Sequence, residues 1–204
     1  YRAVYGDISD PEVLEELETK NFGFPDKTIL QCASACSVKG IKKDEIVNSS
    51  ESIEGNWTNT IKSLNLAINF LRKHCSVPNS RFMPNTTLII PLTYFFYKKP
   101  TLQLSQNLIK RLKRFFWLGV LSERYVQSQD TKIEKDLTDM ESLLSNNNAD
   151  VFNHFVDVSW EDIKFTDLSF ASSFSSAIMC FLASKEPLEF KNNEKVDLGL
   201  TFGE

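Results

Sequence analysis

The sequence predicts a mainly α-helical fold, a multi-helix bundle with a short strand or hairpin left open near its C-terminal end. Three observations carry that expectation. Apolar side chains recur every three or four residues over several long stretches, the signature of helices that bury one face. Glycine is scarce, seven residues in 204, while phenylalanine is abundant at 16, so the chain favours packed helices over tight hairpins and phosphate-cradling loops. The densest run of large side chains, KRLKRFFWLGVLSERY from Lys110 to Tyr125, sets three consecutive aromatics beside a basic cluster on what reads as one long helix.

The elements follow in order. Ser9 or Asp10 can cap a short helix with Pro11 at its first position and acidic residues in its first turn. Asp26 is placed to cap a second helix, KTILQCASACSVKG, in which Ile29, Cys32, Ala33 and Cys36 share a face and Gly40 is the natural stop. After the polar NSSES run, Trp57, Ile61, Leu64, Ile68, Leu71 and Cys75 form one apolar stripe about five turns long, closed by Pro78. The segment Leu88 to Tyr97 is apolar nearly all round, which marks a buried element. Pro91 argues against a central strand, because proline cannot donate to a ladder, and the expectation is a kinked helix.

The long helix is predicted to start at Pro100 and Thr101, with Leu104, Leu108, Leu112 and Phe115 or Phe116 on its buried face. Gly119 is placed to permit the close approach of another helix. Residues 128–145 are amphipathic through Ile133, Leu137, Met140 and Leu144. SNNNAD is a loop, 151–166 alternate imperfectly, and an apolar helix runs from Ala171 to Ser184 before Pro187. No internal repeat or low-complexity tract is present.

A chain of this length fits a single helical domain, residues 1–204, and buries roughly 70% of its unfolded surface without a disulfide or metal. It begins without methionine and stops at TFGE, so it is expected to be a fragment of a longer protein. A net charge of −4 argues against a nucleic-acid-binding surface all round, though not against a local basic patch. The four cysteines, at 32, 36, 75 and 180, form no CxxC, and only His74 and His154 are available beside them. No zinc spacing can be assembled, and the thiols read as buried ones in a reducing, cytoplasmic setting. No apolar run reaches the ~18 residues of a membrane span, so no membrane partner is expected.

Lys110, Arg111, Lys113 and Arg114 are the candidate DNA contact, since several cations on one helix can neutralise successive phosphates. The competing reading is a solvated face opposite the aromatic stripe, and Lys62, Arg72, Lys73, Lys98 and Lys99 extend the cluster only if the fold brings them near. Arg124 is expected to form a structural ion pair with Asp136, Asp139 being the other partner in reach across a short turn. Glu134, Asp136, Asp139 and Glu141 read as the wet face of an amphipathic helix rather than metal ligands, and His154 stands in a segment without other ligands. There is no GxxxxGK[ST], GxGxxG, GxSxG or HExxH, so no catalytic residue, cofactor or metal is assigned.

Taken in order, NFGFPDKTILQCASA, FLRKHCSVPNSRFMPNTTLIIPLTYFF, LKRFFWLGVLSERYVQSQDTKIEKDL and FSSAIMCFLASKEPLEF resemble the helical region of the GmrSD-type restriction family, over about residues 20–190. The most specific elements are FFWLGVLSERY followed by KIEKDL, where Lys132, Asp136 and Leu137 match the family's basic residue and Asp-Leu, and then SRFMP followed by IIPLTYFF. That family has a ParB-like region with an Asp-Gly-Gln-Gln-Arg motif linked to nucleotide-dependent activity, and an HNH nuclease motif often follows the helical part. Neither motif stands in this sequence. The resemblance therefore implies a non-catalytic helical segment of a larger prokaryotic anti-phage protein, positioning catalytic domains and touching DNA. Two alternatives stand beside it. One is a nuclease or nucleotide hydrolase using Arg81, Arg124, Asp136 or His154; the other is an oligomerisation module marked by an exposed apolar patch.

Overall fold

A computed structural model describes residues 22–153, 156, 161 and 172–196. The protein is mainly helical, with eight α-helices among the described residues. They are α1 (Asp26–Val38), α2 (Lys43–Asn48), α3 (Ser50–Gly55), α4 (Trp57–Cys75), α5 (Ile89–Lys98), α6 (Gln106–Leu121), α7 (Gln129–Ser145) and α8 (Ser173–Ala183). The helix predicted after Pro11 lies outside these residues, as does most of 151–166 with its candidate strand. The described C-terminal end holds no strand, only a turn closed by one antiparallel bridge between Leu188 and Lys195.

The hydrophobic centre is α5. Every residue from Ile89 to Phe96 is buried, because α1, α4 and α7 pack around it. Pro91 does not sit inside a continuous helix. It falls in the first turn, after a 3₁₀ turn at Thr86–Leu88, where its missing N–H has no helical acceptor to lose. The expected kink thus has no cause. Phe70 of α4 meets Phe96 at 5.9 Å between centroids, and Phe95 and Phe96 meet edge to face at 5.4 Å.

Several boundaries differ from those read in the sequence. α1 ends at Val38, two residues before the expected glycine, with Lys39 itself in the left-handed conformation (φ 60°). Gly40 is held instead by its neighbour: a Cβ there would lie 2.8 Å from the Glu45 carboxyl carbon. That carboxylate accepts the Ile41 and Lys42 amides at 2.9 and 2.8 Å, which starts α2 inside a stretch too short and polar to read as helical. α6 begins at Gln106 rather than Pro100, since the Ser105 hydroxyl caps it by accepting the Leu108 amide at 3.3 Å. Leu104 consequently lies before the helix.

Gly119 is closely approached, but by the Leu88 side chain from the 3₁₀ turn Thr86–Leu88 rather than by another α-helix. A Cβ at Gly119 would come within 2.7 Å of Leu88 Cδ2. α8 packs on α6 and on the turn Ser80–Phe82, where the Cys180 thiol donates to the Phe82 carbonyl at 3.1 Å. Among the described residues no helix is long and apolar enough to cross a membrane.

Candidate nucleic-acid interface

α6 buries Leu108, Leu112, Phe115, Phe116, Gly119 and Val120 and turns its basic residues away from that stripe. The four candidate contacts do not form one free cluster. Arg114 donates through Nε to the Phe152 carbonyl at 3.3 Å and through Nη2 to Asn153 Oδ1 at 3.1 Å. Arg111 Nη1 approaches Asp150 Oδ1 at 3.8 Å. One turn earlier, Asn107 Nδ2 donates to the Asn147 carbonyl and to Asn148 Oδ1, both at 2.7 Å. Residues 107, 111 and 114 lie along one side of the helix and tie down the segment that follows α7. Phe152 completes the tie by packing on Phe115 at 5.0 Å. Lys110 and Lys113 remain exposed.

The helix that packs against α6, α4, carries a second group of cations. α4 ends in Arg72, Lys73 and His74, where positive charge also offsets the carbonyl end of the helix dipole. Arg72 lies over the Phe22 ring, 5.2 Å from its centroid, and His74 packs on Phe70 at 4.9 Å. Burial lowers the affinity of the His74 imidazole for a proton, and the positive charges of Lys73 and Lys113 lower it further. α6 itself packs against α4. Neither helix contains a single Asp or Glu, although the chain as a whole is acidic. Lys98 does not join this face: it lies over the rings of Tyr94 and Tyr97, at 5.4 and 5.6 Å, on the side facing Glu141.

The carboxylates are gathered on α7. Asp136 has no solvent exposure; its Oδ1 accepts Arg124 Nη2 and its Oδ2 accepts Arg124 Nε, each at 2.7 Å. The Tyr125 hydroxyl donates to Oδ2 at 2.6 Å. Burial and the adjacent carboxylate push the Tyr125 phenol well above its ordinary range, so it stays a donor. Asp139 is buried as well and pairs with Lys135. The wet face expected of this helix is thus half wrong. Asp136 and Asp139 flank Leu137 and Met140 on the core side, and only Glu134 and Glu141 reach water. Glu134 pairs with Lys42 at 2.7 Å, and Glu141 takes Lys39 and the Tyr94 hydroxyl, the latter at 2.6 Å.

With its oxygens committed to Arg124 and Tyr125 and no exposed surface, Asp136 is closed to a substrate. Arg81 lies on the turn Ser80–Phe82, its amide accepted by Asn79 Oδ1 at 3.0 Å, and His154 lies outside the described residues. Among the described residues no three His, Cys, Asp or Glu side chains are grouped to hold a metal. The four thiols are free and buried, and burial pushes those of Cys32 and Cys180 up to about 12, far from a reactive thiolate.

The chain matches no known family, no curated protein and no solved structure. Its function is therefore argued from the charge and geometry above. Lys73 and His74 are the functional candidates that the α6 motif alone did not single out together. Their signal was the absence of acidic residues from both 57–75 and 106–121, which is visible in the sequence, while the approach of the two helices is not.

Proposed function

We propose that this chain is a non-catalytic helical domain of a prokaryotic, cytoplasmic restriction-like protein, one that positions neighbouring catalytic domains and touches DNA through the acid-free face of α4 and α6. The observation that carries the DNA part is that α4 and α6 pack on each other, hold no carboxylate and leave Lys73, Lys110 and Lys113 exposed. An isolated basic helix on an acidic protein is usually a solvated face. A patch from two packed helices that carry no carboxylate of their own, on a chain that is acidic overall, is the segregation that attracts a polyanion. The scaffold part is supported by the closure of Asp136 and by the resemblance of the aromatic helix to the GmrSD-type family.

The test is DNA binding as a function of salt, comparing the wild type with Lys73→Ala/Lys110→Ala/Lys113→Ala. Each phosphate contact contributes about 0.9 to the slope of log K against log salt, so losing three is expected to lower that slope by about 2 to 3. Arg111 and Arg114 are left intact because they tie down residues 147–153. Binding that is absent, or a slope unchanged in the triple variant, removes DNA and leaves a scaffold alone.

A further inference from the structure

A cavity of about 220 Å³ opens between α1, the start of α2 and the first turn of α7, with no residue of α4 or α6 in its lining. Its apolar wall is Leu30, Ile41 and Ile46, the first two being almost wholly buried. Three lysines, Lys27, Lys42 and Lys43, are among its lining residues. Lys42 is already paired with Glu134 at 2.7 Å, but among the described residues the side chains of Lys27 and Lys43 have no partner. Gln31, 3% exposed, also lines it; its Nε2 makes one long bond, 3.4 Å, to the Ile41 carbonyl, which leaves Oε1 without a partner. Asp130 is the single unpaired carboxylate of the lining.

We propose that this cavity binds a small organic anion: a carboxylate or phosphate monoester whose charged end meets Lys27 and Lys43. Its carbon body lies against Leu30, Ile41 and Ile46, and a hydroxyl on that body donates to Gln31 Oε1. The combination of an apolar wall, one buried amide and two uncommitted cations is the usual composition of a small-molecule site. The volume lies below the roughly 300–1,000 Å³ of sites for drug-sized ligands, which restricts the occupant to a few carbons. Lys42 is held back by Glu134, and Asp130 opposes the ligand's charge, so the site is a weak one in the millimolar range.

The experiment is amide NMR titration of the whole chain with glycerol 3-phosphate, malate and inorganic phosphate, following Leu30, Gln31, Ile41 and Ile46. Saturable shifts at these amides are expected with glycerol 3-phosphate or malate, whichever anionic group the site prefers, and at least several-fold weaker ones with inorganic phosphate, which lacks a body. Lys27→Ala/Lys43→Ala weakens binding about tenfold or more, Gln31→Leu weakens it less, and Asp130→Asn tightens it. Lys110→Ala/Lys113→Ala leaves it unchanged, which keeps this site distinct from the DNA-binding face. The proposal is overturned by any of three results: no saturable shift below about 10 mM with either organic anion, equal affinity in the Lys27/Lys43 variant, or loss in the Lys110/Lys113 variant instead. Equal affinity for inorganic phosphate would overturn the organic part and leave an ion site only.

Discussion

Arg124 grips Asp136 through two parallel N–H···O bonds of 2.7 Å, although the carboxylate has no exposure to solvent and the arginine very little. Arg124 lies in the connection between α6 and α7 and Asp136 within α7, so the pair ties that connection to the helix that follows it. A buried pair of this kind contributes little net stability against well-packed apolar residues, but removing one partner strands the other. Asp136→Ala is expected to cost about 3–5 kcal/mol and Arg124→Ala a similar amount, whereas Arg124→Met/Asp136→Leu recovers much of the loss. Tyr125→Phe costs about 1.5–3 kcal/mol, since it removes one bond to a charged acceptor. Urea denaturation of the five proteins checks this. Additive losses in the double variant would show that the pair does not act as a unit.

Glu141 gives the fold an acid-sensitive contact. Hydrogen bonds from Lys39 and then Tyr94 hold its carboxyl below the usual carboxylate range. A carboxylate whose pKa is depressed by folding stabilises the native state above its unfolded value of about 4.3 and loses that contribution as pH falls through the folded value. The side chain is 42% exposed, so solvent screens the pair and its worth is under about 1 kcal/mol. Glu141→Gln is therefore expected to melt slightly below the wild type at pH 7, with the two curves converging below about pH 4. Added salt should narrow the gap at pH 7 as well. A gap that persists unchanged at pH 3 would place the loss in packing rather than charge.

The contact between Gly119 and Leu88 predicts a reversal of sign. Alanine is the better helix former by about 1 kcal/mol, so Gly119→Ala would stabilise an exposed helix. Here the new Cβ would lie 2.7 Å from Leu88 Cδ2, and Leu88 is fully buried, with little room to yield. Overpacking of this kind costs about 1–3 kcal/mol, enough to make the substitution destabilising. In a Leu88→Ala background the clash is gone, and Gly119→Ala should become neutral or stabilising. Thermal unfolding of the four proteins of this double-mutant cycle measures the coupling.

How much was legible in the sequence depended on how local the cause was. The stripe Ile61, Leu64, Ile68, Leu71 and Cys75 is a property of one segment, and α4 forms over the residues that its periodicity marks. α2 and α3 are six residues each and mostly polar, so no periodicity could announce them; Glu45 and the neighbouring helices hold them. Lys39 takes the left-handed position that glycine normally fills, beside its pairing with a glutamate 102 residues away. The basic run at 110–114 was legible as a run. Its division into two exposed lysines and two committed arginines was not, because Phe152, Asn153 and Asp150 are brought to α6 only by the return of the chain. The same holds for Asp136 and Asp139, whose spacing places them beside a buried stripe without saying what they meet there.

The arginines of that run make the last prediction. Arg114 contacts a backbone carbonyl and an amide side chain in the segment after α7, and Asn107 holds the same segment about two turns earlier. Both lie at the surface, so single substitutions should change global stability by less than about 1 kcal/mol. Locally the effect is larger: Asn107→Ala/Arg114→Ala is expected to speed amide exchange across 147–153 several-fold while exchange in α5 is unaffected. Protease nicking in SNNNAD should rise in parallel. The contrast with Lys110→Ala/Lys113→Ala separates the two roles within one five-residue run, since those substitutions should leave both exchange and nicking as they are. If all four residues affect the segment equally, the tie is not specific and the cluster acts only through its summed charge.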